Sequence, residues 1–174
     1  LSAMEIVLEK DKNVLFLTIG GDIDNSGWDK KTKLFLEKYE KNFITMGWIE
    51  HSELAPYLVH ASVGIILFKP THYNNMIGMP NKLFEYLSCG LPVVSSNMPQ
   101  ISKVIKSTKT GILVNPEDPV NIAESISSKD PILINSCLPD INPNLPSSIK
   151  LILYSFSIVS SAGTANKTTL PFRY

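Results

Sequence analysis

The sequence predicts an α/β fold of the doubly wound kind: about five parallel strands with helices on both faces. Three observations carry that expectation. Apolar runs of strand length alternate with helical patterns from the first residue to about residue 128. The strand-like runs are apolar throughout, as strands covered on both faces must be. The loops between them are short, which favours right-handed βαβ crossovers and a parallel sheet.

The elements follow in order. Leu1, Met4 and Leu8 recur at helical spacing, with Glu5, Glu9 and Lys10 between them, and predict a helix over residues 1–10. Val14 to Ile19 is a continuous apolar run ended by Gly20-Gly21, a strand and its turn. Trp28 to Tyr39 is helical in composition, with Leu34, Phe35 and Tyr39 as its buried stripe. Asn42 to Trp48 predicts a short strand, and Leu54, Tyr57, Leu58 and Ala61 the inner face of a helix. Ser62 to Phe68 is a third strand. Pro80 to Cys89 predicts a helix with proline at its first position and Gly90 as its stop. Leu91 to Ser95 and Gly111 to Val114 are the fourth and fifth strands. Ile101, Val104 and Ile105 mark the helix between them, and Val120 to Ile126 the last helix.

After that the composition changes. Residues 131–174 hold four charged residues in 44, against 28 in the first 130, and Ser, Thr, Asn and Pro supply 19 of the 44. No period of 2 or 3.6 is sustained there. Two readings stand: a low-order tail, or residues not native to the fold, as after a change of reading frame. Either way, residues 1–130 are expected to form one domain, and residues 131–174 to stay out of its core.

The 174 residues carry 16 basic and 16 acidic side chains, so the formal net charge is zero. That balance argues against a nucleic-acid binder, which needs a basic excess, and against a polybasic membrane-surface module. Fifteen of the basic residues are lysine and the only arginine is Arg173, so bidentate arginine clamping of phosphate is nearly excluded. Cys89 and Cys137 form no CxxC pair, so neither a disulfide framework nor a zinc site is expected. Cys89 is expected to be a small buried side chain, and the setting reduced and cytoplasmic. No signal-peptide pattern opens the chain. Its longest weakly charged apolar tract, Leu151 to Ala162, is too short to span a bilayer. The chain starts at Leu1 within a helical pattern, and is read as a piece of a larger protein.

Doubly wound sheets bind ligands outside the carboxyl ends of their strands. The candidates are therefore Gly20-Gly21-Asp22, Gly47-Trp48-Ile49, the stretch Lys69 to Met79 with Asn81, Lys82 and Glu85 on the next helix, and Ser95-Ser96-Asn97. A helix start offers N–H groups and the positive dipole end to a phosphate. Pro80 has no N–H, which leaves the amides of Asn81 and Lys82. A carboxylate one turn in, Glu85, can accept two hydrogen bonds from a vicinal diol such as that of ribose. The plainer reading is that Lys82 and Glu85, three apart on one helix face, form a solvated ion pair worth about 0.2–0.5 kcal/mol. His51, His60 and His72 fit no catalytic constellation.

The segment from Pro80 to Val94 resembles the signature of the group 1 family of retaining glycosyltransferases of the GT-B fold. The resemblance rests on Pro80, Lys82, Glu85, Tyr86, Gly90, Pro92, Val93 and Val94 in their order and spacing. The flanks agree: Met46 to Ile49, Glu53-Leu54, Tyr57-Leu58 and Ala61 to Ile65 before it, and Thr110 to Val114, Pro116 to Asp118, Ile122-Ala123 and Ile126 after it. It covers residues 1–128. It implies the C-terminal, donor-binding domain of an enzyme that moves a hexosyl group from a nucleotide sugar, UDP- or GDP-linked, to an acceptor with retention. The context it implies is surface polysaccharide or glycolipid synthesis, with neither a metal nor another cofactor. It gives Glu85 the ribose, Gly47, Trp48 and Ile49 the nucleobase, Gly78, Met79, Pro80, Asn81 and Lys82 the diphosphate and sugar, and Gly20 the turn beside the diphosphate.

Two departures stand out. Where many relatives place a first glutamate, this chain has Ile77, which cannot accept a hydrogen bond. The family's first strand with its Gly-rich loop, and its N-terminal acceptor domain, precede the segment that matches. Partners expected on this reading are the donor, the missing acceptor domain and, for the parent protein only, a membrane surface. The chain alone is expected to be inactive. The rival readings are a non-catalytic nucleotide-binding fragment and a nucleotide-sugar epimerase of the same fold.

Overall fold

The computed structural model describes residues 1–20, 29–71, 73–128 and 150–155. The expectations for Gly21, Asp22, Trp28, His72 and Cys137 lie outside these residues.

The elements run α1 (Ser2–Lys10), β1 (Val14–Ile19), α2 (Lys30–Lys38), β2 (Phe43–Met46), α3 (Ala55–His60), β3 (Val63–Ile66), α4 (Tyr73–Ile77), α5 (Asn81–Ser88), β4 (Val93–Ser96), α6 (Pro99–Thr108), β5 (Gly111–Val114), α7 (Pro119–Ser127) and β6 (Lys150–Ser155). Two single-turn 3-10 segments, Glu40–Asn42 and His51–Glu53, flank β2. All the strand pairs are parallel, in the order β2-β1-β6-β3-β4-β5.

The inner strands β1, β3, β4 and β6 are buried on both sides because each carries apolar residues at adjacent positions, whereas Ile44 on the edge strand β2 is exposed. Val14, Phe16, Val63, Ile65, Val94 and Ile152 face a core closed by α1, α2 and α7 through Val7, Leu8, Phe35, Ile122 and Ile126. Leu17, Ile19, Ile66, Val93 and Leu153 face a second core closed by α3, α5 and α6 through Leu58, Leu83, Tyr86, Ile101 and Ile105. This is the expected doubly wound architecture. Under α2, Phe16 stacks on Phe43 with centroids 5.0 Å apart, and Phe35 meets Phe43 edge-on at 5.5 Å. Leu34 is not part of the stripe: it is 55% exposed, one helical step round from Phe35.

Local chemistry sets the helix ends. Asp29 accepts the Thr32 N–H at 2.7 Å and caps α2, and Asp118 accepts those of Val120 and Asn121 and caps α7. Pro80 is the N-cap of α5, one position outside the expected first helical place, with φ −72° and ψ 136°. Gly90, at φ 68°, ends that helix as expected, in a left-handed conformation that glycine adopts without a Cβ penalty. Cys89 is half-buried, not buried: at the C-cap of α5 it packs on the outside of the second core.

The largest correction concerns β6. Residues 150–155 were expected to stay out of the core, yet they form the strand between β1 and β3. Val14 to Ile19 register with Lys150 to Ser155, and Val63 to Ile65 with Ile152 to Tyr154. Ile152 and Leu153, 1% and 0% exposed, supply one side chain to each core. The sheet therefore has six strands, not five. The physical reason is that β1 and β3 do not pair with each other, and six apolar-rich residues satisfy the backbone groups of both. The remainder of 129–174 lies outside the described residues.

Gly64, in the middle of β3, explains how α5 reaches the sheet. A Cβ there would fall 2.4 Å from the Tyr86 ring, so only a glycine lets this helix lie so close.

Candidate functional site

The carboxyl ends of the strands share one edge of the sheet, and the candidate residues gather along it. Gly20 follows β1 at φ 89°, a conformation that suits glycine. Its N–H is shared between the carbonyls of Met46 and Gly47, each at 3.2 Å. The ends of β1 and β2 are thus tied together, and Gly20 and Gly47 are neighbours as expected. Beyond Gly47 the two side chains diverge. Ile49 packs partly buried into the same core as Met79, whereas the Trp48 ring is 75% exposed above the edge. An indole left in solvent by its own fold is a platform on which a planar ring can stack.

Helix α5 begins at the same edge, because the chain leaving β3 passes through α4 before entering it. Gly78 closes α4, donating its N–H to the Asn74 carbonyl at 2.7 Å; a Cβ at this position would fall 2.5 Å from that oxygen. Met79 and Pro80 are half-buried, and Asn81 is exposed in the first turn. Leu83 and Tyr86 anchor the inner face, at 0% and 1% exposure, with Leu87 partly buried beside them. The other face carries Lys82 and Glu85. Burial pushes the Lys82 ammonium down to about 8, a shift the nearby Glu85 charge partly offsets.

The Glu85 side chain is 22% exposed, and its Oε1 lies 3.3 Å from His51 Nε2. The contact links the start of the segment after β2 to the first turns of α5. It puts Glu85 on the Gly47 side of the edge, as the topology requires. His51 was missed in the sequence because it is 34 positions from its partner and belongs to no motif. The only available signal was its place four residues after Gly47, at a helix start.

Ser95 and Ser96, candidates by position, are fully buried. Ser96 Oγ accepts the Phe68 N–H at 2.8 Å, and Ser95 Oγ donates to the Ser96 carbonyl. Both serve the fold. Asn97 instead lines a cleft of about 490 Å³ with Pro70, Met76, Met98, Asn115 and Glu117, at the ends of β3, β4 and β5. Sequence reasoning did not anticipate this cleft. Lys69 approaches Glu117 at its rim, 4.0 Å away. Ile77, the residue at the first-glutamate position, is 49% exposed. Among the described residues no three His, Cys, Asp or Glu side chains gather as metal ligands. No helix among them is long and apolar enough to cross a membrane.

Comparison with known proteins agrees with the fold. Residues 1–128 match the family model described as glycosyl transferases group 1. A Bacillus subtilis (strain 168) protein named for glycosyl transfer in teichuronic acid biosynthesis, TuaH, is 35% identical over 91 residues, 52% of this chain and 22% of the relative. An uncharacterized 41.2 kDa protein in the cps region of Klebsiella pneumoniae is 30% identical over 95 residues, 53% of this chain and 24% of its own length. The chitobiosyldiphosphodolichol beta-mannosyltransferase of Candida albicans is 29% identical over 80 residues, 46% of this chain and 17% of the enzyme. The matched parts make up less than a quarter of each relative's length. The six-stranded parallel sheet, the residues along its carboxyl edge and the match over residues 1–128 lead to one conclusion: the chain belongs to the group 1 family of glycosyltransferases.

Proposed function

We propose that this chain is the donor-binding half of an enzyme that transfers a hexosyl group from a UDP- or GDP-sugar to an acceptor, with retention. The product would be a surface polysaccharide or glycolipid made on the cytoplasmic side. Glu85 binds the ribose diol through its carboxylate. Gly47, Trp48 and Ile49 hold the base. Gly78, Met79, Asn81 and Lys82 face the diphosphate and sugar, with Gly20 closing the turn beside them. The Lys82 charge and the helix dipole would stabilise the departing diphosphate. The observation that carries this reading is the half-buried Glu85 carboxylate in contact with His51, on the segment that follows β2 at the sheet edge where doubly wound folds take ligands. The polysaccharide context is supported by the name of the Bacillus relative.

Transfer needs donor and acceptor held together in one dry cleft. On this reading another segment supplies the acceptor side, and the isolated chain binds nucleotide weakly and turns over nothing. Calorimetric titration of UDP and GDP tests the central assignment. A carboxylate holding a diol contributes about 1.5–3 kcal/mol. Glu85→Ala is therefore expected to weaken binding about 10- to 150-fold. Equal affinity in wild type and Glu85→Ala would refute the ribose role. Hexosyl transfer by the isolated chain would refute the division of labour, and the anomeric proton coupling of a product made by the full-length enzyme would test retention.

A further inference from the structure

We propose that His51 is a positioning residue for Glu85, holding the carboxylate in the orientation that receives the ribose. The inference rests on the reading of Glu85 given above. A glutamate side chain has three rotatable bonds, and its outer end is broadly distributed unless something fixes it. Here the inner side of α5 is fixed by Leu83 and Tyr86, but the Glu85 head is not part of that packing. Among the described residues, the contact that reaches the head from outside α5 is the one from His51 Nε2 to Oε1, at 3.3 Å. An imidazole protonated at Nε2 donates there, and a carboxylate offers about four lone-pair sites, so most remain for a diol.

The placement of the two residues adds to this. His51 is on the segment that carries Gly47, Trp48 and Ile49, and the 3-10 turn His51–Glu53 packs against α3, which in turn packs against α5. The base-binding segment and the ribose-binding carboxylate are thereby joined through one side-chain contact. The imidazole is 82% exposed, so it contributes little to the core and is free to be exchanged without collapse. A group with that exposure, directed at a carboxylate that is only 22% exposed, organises the site and adds little to stability.

The test is a set of UDP and GDP titrations followed by protein amide shifts in the full chain, at millimolar nucleotide. His51→Ala is expected to weaken binding about two- to fivefold, the range that partly exposed ion pairs cover. His51→Gln, whose side-chain amide can donate to the same oxygen, is expected to restore most of the loss. In a Glu85→Ala background, His51→Ala is expected to have no further effect, because its partner is gone. A His51→Ala loss that persists undiminished without Glu85, or is not rescued by glutamine, would overturn the positioning role. So would unchanged affinity in His51→Ala while Glu85→Ala is impaired; that result leaves the ribose reading intact. Unchanged affinity in Glu85→Ala, or no nucleotide-dependent shift in the wild type, would overturn the ribose reading and this inference with it.

Discussion

The carboxyl edge of the sheet has two unlike halves. Beyond β1 and β2 the described residues bring the candidate groups together: the Gly20–Gly47 tie, the exposed Trp48, and His51 against Glu85. Beyond β3, β4 and β5 lies a cleft of about 490 Å³, lined by prolines, methionines and asparagines, with Glu117 67% exposed at its rim. The cleft offers volume, and the first half offers a partly desolvated carboxylate. A ligand is recognised by convergent polar groups whose geometry the fold holds, and a partly desolvated carboxylate is such a group in a way that an exposed one is not. The difference warns against locating function by the size of a hollow.

The strand between the halves offers the hardest test of the comparison. Leu153 is fully buried, and β6 pairs with both β1 and β3. Leu153→Ala is expected to lower stability by about 2–5 kcal/mol, measured by urea unfolding, and to impair both halves together. A change below about 0.5 kcal/mol, typical of a surface site, would show that the halves do not depend on this strand.

Next in size is the contrast between two glutamates. Glu85→Ala is expected to bring the large loss of nucleotide affinity argued above, while Glu117→Ala leaves affinity within about twofold, since an exposed rim charge contributes little. If Glu117→Ala were the more damaging, the ligand would belong to the cleft beyond β3, β4 and β5.

Lys82 sharpens the same contrast through pH. Its pKa is held down at about 8 by burial, against an ordinary 10.5. Between these values the unfolded chain binds more protons than the folded one, so this group makes stability rise as pH increases from about 8 to 10.5. On the proposed role of Lys82, nucleotide affinity is expected to move the other way, falling as pH rises through about 8 and the ammonium loses its charge. Lys82→Met is expected to remove both trends, and an affinity profile in the variant that still falls near pH 8 would assign the effect elsewhere.

The smallest effect concerns Trp48. At 75% exposure it supports little of the core, so Trp48→Ala is expected to leave the unfolding midpoint nearly unchanged. Nucleotide binding is expected to weaken by about 1 kcal/mol, the lower end of a stacking contribution. A marked loss of stability would instead make Trp48 an anchor of the fold.

Most of the sheet was legible because each run that became β1 to β5 is bounded by turn residues, and because apolar residues at adjacent positions are what a two-faced sheet demands. The α5 segment was legible for a further reason, since Leu83 and Tyr86, three apart, mark its buried face, with Lys82 and Glu85, also three apart, along one side of it. What escaped had no local signature. Lys150 to Ser155 is a good strand sequence, but its neighbours rich in Ser, Asn and Pro gave no period to frame it, and its partners lie more than 80 residues away. Tyr73 to Ile77, a five-residue helix, leaves Tyr73, Met76 and Ile77 exposed and so has no apolar stripe. The contact of His51 with Glu85 is a product of tertiary structure alone.

The central place of β6 has a consequence for how the molecule comes into being. Val14 and Lys150 are in register yet 136 positions apart. At a synthesis rate of ~5–20 residues per second, β1 waits about 7–27 s for its neighbour to be made. Once β3 has also been made, 89 positions before its own partner residues in β6, β1 and β3 have no strand between them, and each offers an unpaired apolar edge of the kind that templates aggregation. Completion of the sheet cannot precede the synthesis of β6, so translation sets its earliest time. The exposed edges of β1 and β3 are therefore covered only once β6 has been made.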